Sequence, residues 1–154
     1  MKGMFKRFTA ASFLLASLVV TALPSAALAQ QMVSISKTEA NMRTGPGTHH
    51  AVSWSLVKGF PLQVVSRKGN WLQVRDFEND RGWVFRSLTG SSPHHIVKAN
   101  VANLRSEPTT RSQVAGKLVY GEVVTTLDKR PGWVKVQRDT GVKGWVSDNL
   151  LWGW

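Results

Sequence analysis

The chain has 154 residues, no cysteine, and 20 Lys and Arg against 9 Asp and Glu, a formal net charge of +11. Without cysteine there can be no disulfide staples, thiolate metal ligands or cysteine nucleophiles, so stability has to come from core packing. The basic balance points to anionic partners.

Met1 to Arg7 carries Lys2, Lys6 and Arg7, and Phe8 to Leu23 is apolar apart from small hydroxyl residues. Pro24-Ser25 breaks that run, and Ala27-Leu28-Ala29 places small residues where a signal peptidase reads them. This order predicts a secretory signal peptide over residues 1–29, cut after Ala29 to leave Gln30 as the new N-terminus. The apolar run is shorter than the roughly 20 residues a bilayer-spanning helix needs, and no later stretch is longer, so no membrane span is expected after cleavage. The expected location is outside the cytoplasm, in the periplasm first and the extracellular space second. After cleavage seventeen basic and nine acidic residues remain, a net +8 split evenly between the two halves of the chain. The anions available there are wall polymers, lipopolysaccharide and phospholipid headgroups, and nucleic acid is not the expected partner.

From Ala40 onward the chain repeats itself. A shift of 62 residues carries Ala40–Leu88 onto Ala102–Leu150 without a gap. Asn41-Met42-Arg43 meets Asn103-Leu104-Arg105, Pro46 meets Pro108, and Gly59 meets Gly121. Trp71 and Val74 meet Trp133 and Val136, and Gly82-Trp83-Val84 meets Gly144-Trp145-Val146. A period this long suits a small domain used twice, with a first domain over 30–90, a linker over 91–95 and a second domain over 96–154.

Each unit reads as short strands between turn signals. Met42-Arg43 ends a strand, Thr44-Gly45-Pro46-Gly47 opens a loop, and Val52, Trp54 and Leu56 alternate with serines. Lys58-Gly59 turns the chain, Leu62-Gln63-Val64 resumes it, and Lys68-Gly69-Asn70 makes a hairpin tip before Trp71–Val74. Asp76 to Asp80 is a polar turn, and Gly82-Trp83-Val84 closes the unit. About five strands in so short a unit predict an all-β chain of two tandem, strongly bent small barrels.

The pattern Asn-Leu-Arg-Ser-x-Pro, a central turn glycine, Trp-x-x-Val, and Gly-Trp-Val before a final Leu resembles bacterial SH3-like domains. Asn41 to Thr48, together with Trp54, is similar to the variant found in exported proteins of Gram-negative bacteria. The resemblance spans Ile35–Leu88 and Val97–Leu150. It implies small β-barrels that bind cell-wall peptidoglycan or neighbouring envelope proteins, without catalysis of their own, and that often accompany wall-cutting domains.

The residues themselves suggest no catalytic constellation. There is no Gly-x-Ser-x-Gly elbow, and His49 and His50 stand where the second unit has Arg111 and Ser112. In His49-His50 and His94-His95, adjacent side chains on an extended chain would point to opposite faces, which disfavours a metal site. Glu39, Glu78, Glu107 and Glu122 read as solvated charge. The expectation is therefore a binding protein that is not an enzyme and holds no cofactor or metal.

Ligand candidates are Arg43, Trp54, Trp71, Trp83, Phe85 and Arg86. Trp71 and Trp83 have twins in Trp133 and Trp145 and can serve the barrel as well as a ligand. Trp54 shares a face with Val52 and Leu56 and reads equally as core. The first unit alone has Trp54, Phe60, Phe77 and Phe85-Arg86, facing Gly116, Glu122, Asp139 and Ser147-Asp148 in the second. Aromatics and Arg are favoured on binding surfaces, so the first unit is expected to hold the main ligand site. Two other readings remain: an adaptor gripping an envelope protein, and a general polyanion binder. Recognition of proline-rich peptides is disfavoured by the cation and two histidines of the Arg43–His50 loop.

Overall fold

The computed structural model describes residues 30–154, and the expected leader over 1–29 lies outside the described residues. The first sheet is built from β1 (Met32–Ile35), β2 (Glu39–Arg43), β3 (Val52–Val57), β4 (Pro61–Lys68), β5 (Trp71–Arg75), β6 (Arg81–Phe85) and β7 (Thr89–Gly90). The second contains β8 (His94–Val97), β9 (Val101–Arg105), β10 (Val114–Val119), β11 (Val123–Arg130), β12 (Trp133–Gln137), β13 (Lys143–Ser147) and β14 (Leu151–Gly153). The strand orders are the same, β3-β2-β6-β5-β4-β1-β7 and β10-β9-β13-β12-β11-β8-β14. These are two all-β SH3-like units. Each has seven strands rather than about five, because a short strand opens the unit and another, after a 3-10 turn, closes it against the first.

The period-2 pattern puts Ala40, Met42, Leu56, Leu62, Leu72, Val74 and Val84 inside the first barrel. Their twins Ala102, Leu104, Leu118, Val124, Val134, Val136 and Val146 fill the second. At the crossing of β2 and β6 only glycine fits. A methyl group on Gly82 would come within 2.5 Å of Met42 Cγ and 2.9 Å of the Arg43 carbonyl oxygen. On Gly144 it would meet Leu104 Cγ at 2.7 Å and the Arg105 carbonyl at 2.8 Å.

Trp54 keeps its place in the alternation but lies outside the core. The β2–β3 register slips between Met42 and Arg43, which pair with Trp54 and Val52 and leave Ser53 as the extra residue. The bulge takes Val52 out of phase, while Trp54 stays opposite Met42 on β3, the edge strand of the sheet. Leu56 stays buried, while Trp54 is 52% exposed and not part of the core.

The two barrels touch. Strand β8 starts at His94, so both histidines of that pair belong to the second sheet and not to a linker. Buried Ser34 donates its hydroxyl to the Ser92 carbonyl at 2.8 Å. Phe60, Phe77 and Tyr120 form a row with centroid spacings of 6.2 and 5.4 Å, and the Tyr120 hydroxyl donates to the Glu78 carboxylate. Gly59, at φ 81°, lies against the second barrel: a methyl there would stand 2.8 Å from His94 Cδ2 and 3.2 Å from Val123 Cγ1. Around its twin Gly121 the space is open. Phe60 and Phe77 are thus accounted for by packing between the barrels. In the second unit the equivalents of Phe60 and Asp76 are Glu122 and Arg138, which make an ion pair at 2.7 Å.

Candidate functional site

Strands β5 and β6 turn Leu72, Val74 and Val84 inward, which sends Trp71, Trp83 and Phe85 outward. Trp71 and Phe85 are cross-strand partners, and their rings meet edge to face at 5.3 Å and 69°. They form one wall of a groove of about 560 Å³, whose other lining residues are Glu39, Ala40, Asn41, Arg43, Thr48 and Leu88. Apolar walls with a few convergent polar groups are the usual make-up of a ligand site.

Arg43 has a structural task as well. Its Nη1 donates to the carbonyls of Thr48 at 3.2 Å and His50 at 2.8 Å, fixing the loop that rims the groove. Its twin Arg105 does the same to the Ser112 carbonyl at 2.9 Å. The loop is not extended as the histidine argument assumed. It turns, so the His49 and His50 rings lie together at 4.2 Å instead of on opposite faces. They fold back over Gly47 and Gly45, where a methyl would meet a ring atom at 2.5 Å.

Of the six candidates, the structure brings Arg43, Trp71 and Phe85 together in the groove. Trp54 stands on edge strand β3, Trp83 is half-buried two cross-strand rows away, and exposed Arg86 begins the 3-10 turn; none of these three lines it. Glu39, Asn41, Thr48 and Leu88 were not among the candidates. Glu39 carried a readable signal, since its twin is Val101.

The second barrel lacks this groove's aromatic pair, with Ser147 at the place of Phe85. Its Trp145 is 4% exposed, covered by Arg130 at 4.9 Å and Lys135 at 5.8 Å from the ring centroid. Such cation–π contacts contribute about 0.5–1 kcal/mol each near a surface. His95 occupies the position that Val33 fills in the first core, and its Nδ1 lies 2.7 Å from the Thr126 hydroxyl, at the place of Val64. Burial, and then the Lys129 charge, pushes the His95 imidazole down to about 4.

The carboxylate oxygens of Asp76, Glu78 and Asp80 gather within 4.8 Å of one another. Asp76 is committed to its turn, accepting the backbone N–H groups of Glu78 and Asp80 at 2.9 Å each. Burial raises its carboxyl above the usual range, against those two bonds.

Among the described residues no helix is long and apolar enough to cross a membrane. Residues 36–89 and 100–151 each match a family model described as "Bacterial SH3 domain", and together they cover more than half of the chain. The chain is 28% identical over 138 residues to the Bacillus subtilis protein named "Putative N-acetylmuramoyl-L-alanine amidase YrvJ", covering 82% of this chain and 26% of the relative. Among solved structures it is similar to NlpC1 from Trichomonas vaginalis, with a TM-score of 0.37, 15% identity, and 89% and 50% of the two chains covered. An NlpC/P60 family protein from Bacillus cereus gives 0.38, 15%, 79% and 56%. The chain thus spans about a quarter of the curated relative and about half of those solved chains. The expectation that the chain is not an enzyme is overturned here, because the Bacillus relative it matches is named for an amidase activity. Both units, in the same strand order and with the same glycine at the β2–β6 crossing, place the chain in the bacterial SH3 domain family, of which it carries two members in tandem.

Proposed function

We propose that the chain is exported and holds cell-wall peptidoglycan in the groove of its first barrel, in the service of wall hydrolysis of the kind for which its Bacillus relative is named. The observation that carries this reading is the Trp71–Phe85 pair lining one groove with Glu39 and Arg43. The aromatic wall suits the apolar face of a sugar or an alanyl methyl, and the two charges suit the amine and carboxylate of a short peptide. Membership in the bacterial SH3 domain family and the muramoyl–alanine bond in the relative's name both support the wall as ligand.

The test is sedimentation of the full chain with purified sacculi at low and at high salt. Retention at both salts is expected, because contacts inside a groove are screened less than surface charge. Phe85→Ser installs the residue the second barrel already tolerates there and should weaken retention by about tenfold or more, the loss expected of a central aromatic. Release of the parent chain at high salt would favour the polyanion reading. Undiminished retention of Phe85→Ser would remove the groove from the account. Sacculi scored in parallel for newly freed L-alanine amines test the hydrolytic part.

A further inference from the structure

A second groove, of about 510 Å³, lies on the first barrel and is lined by Gln31, Gln63, Ser66, Arg67, Arg75 and Arg81 among others. It occupies the same outward face as the aromatic groove, at the other end of the strands. Gln63, Arg75 and Arg81 form one cross-strand row over β4, β5 and β6, while Lys68, Trp71 and Phe85 form another, four rows away. Two of the three guanidiniums are held by neutral acceptors, and the third, on Arg81, is exposed. Arg75 donates through Nε to Gln63 Oε1 at 3.0 Å, again to that oxygen through Nη2, and through Nη1 to Asn79 Oδ1 at 3.0 Å. Arg67 donates to Gln31 Oε1. Gln63 is itself 9% exposed, so the fork on Arg75 is fixed and not a solvent contact.

Amide oxygens position a guanidinium without neutralising it, and each guanidinium has five donors to place. Among the described residues the one ion pair is Arg138–Glu122, in the other barrel. The acids that follow Arg75 do not pair with these arginines: Asp76 accepts backbone N–H groups, Glu78 accepts Tyr120, and Asp80 makes no ion pair. The second barrel again serves as a control. At the places of Ser66, Arg75 and Arg81 it has Asp128, Gln137 and Lys143, and the groove beside Asp128, of about 270 Å³, is lined by neither Gln137 nor Lys143. The concentration of uncompensated guanidinium therefore belongs to the first barrel and is not required by the fold.

We propose that this groove is an oxyanion site that takes a phosphate group borne on a soluble or wall-bound polymer. Guanidinium forks match phosphate in a bidentate way, and three of them around one concavity suit a multiply charged group better than a single carboxylate.

The probe is fluorescently labelled inorganic polyphosphate, titrated with the full chain at about 0.15 M salt. Arg67→Gln with Arg81→Gln removes two exposed cations, so folding is not at stake. It should weaken binding by about tenfold or more, since hydrogen bonds to charged groups are the strong ones. Lys117→Gln with Lys143→Gln removes the same charge from the second barrel and should change binding less than twofold, on the order of the screened surface effect. Arg75→Lys keeps the charge but loses the fork, and it should weaken binding too. Equal losses in the two double variants would mean diffuse attraction and overturn the site. Binding to phosphatidylglycerol vesicles through these arginines, with no binding of polyphosphate, would overturn the polymer source in favour of a lipid headgroup. Sacculus retention is read separately and can succeed or fail whatever this groove does.

Discussion

One added methyl group tests the packing at the β2–β6 and β9–β13 crossings. In Gly144→Ala the new carbon would stand 2.7 Å from Leu104 Cγ, 2.9 Å from Leu104 Cδ1 and 2.8 Å from the Arg105 carbonyl oxygen. Non-bonded carbons sit comfortably at about 3.5–4.0 Å, so both neighbours have to retreat. Leu104 is fully buried, and the carbonyl belongs to the strand that β13 pairs with. Overpacking costs about 1–3 kcal/mol, and a backbone partner puts this case toward the upper end. Losing the unfolded-state freedom of glycine returns about 0.4–1 kcal/mol. The net loss should be about 1–2 kcal/mol, or roughly 5–15 °C in the melting of a barrel this size. Gly82→Ala meets the same carbonyl clash at 2.9 Å, but its side-chain neighbour is the adaptable Met42, so it should lose less. Gly116→Ala is the control: its nearest neighbour would be Leu104 Cδ2 at 3.9 Å, and it should melt within about 0.5 kcal/mol of the parent. Thermal unfolding followed by circular dichroism decides the order. If Gly144→Ala melted with the parent and Gly116→Ala did not, the strand crossing would be misplaced.

Tyr120→Ala removes the second barrel's contribution to the Phe60–Phe77–Tyr120 row and its bond to Glu78, so the barrels should unfold less cooperatively. Calorimetry should show the endotherm broadening or splitting, and an unchanged trace would mean the row transmits nothing between the barrels. His95 gives a pH dependence. Its folded pKa, near 4, lies below the ordinary 6.5, so the unfolded chain binds the extra proton first. Stability is full above about pH 6.5 and falls as the pH drops toward 4, by up to about 3 kcal/mol. His95→Val with Thr126→Val restores the first barrel's pair and should flatten that slope in urea titrations. An equally steep slope in the double variant would exonerate His95.

The strands and the core were legible because both rest on local rules. Alternation along β2, β5 and β6 decides which side chains turn inward, and the duplication confirms each choice by giving it a twin. Alternation leaves Trp54 equally core or ligand residue, and its exposure depends on β3 being the edge strand, which nothing in Val52-Ser53-Trp54 alone announces. The linker histidines escaped in a similar way, since β8 forms only by pairing with Val123–Thr125 and with a closing strand that follows a 3-10 turn. Phe85 could be picked out from Ser147. That it would share a groove with Glu39, Asn41 and Leu88 could not, because those residues lie far apart along the chain.

Comparing each residue with its twin shows where a reason is needed, and the contacts then show that several asymmetric positions touch one another in at least one barrel. Gly45 and Gly47 go with the histidine rings folded over them; Glu107 and Thr109 go with Ser112, whose hydroxyl donates to their carbonyls at 2.9 Å. Val33 and Val64 become His95 and Thr126, and Phe60 and Asp76 become Glu122 and Arg138. In each case one packing solution replaces another, and no ligand is needed to explain it. Phe85 does not fit this pattern. Its cross-strand partner Trp71 is kept in the second barrel as Trp133, which pairs there with Ser147 and folds without an aromatic neighbour. The arginines at 75 and 81 are similar, because Gln137 and Lys143 keep the same cross-strand pairing in their absence. Packing explains the paired exchanges and leaves these residues over. They stand at the two ends of one outward face, the aromatic groove at one end and the guanidinium groove at the other.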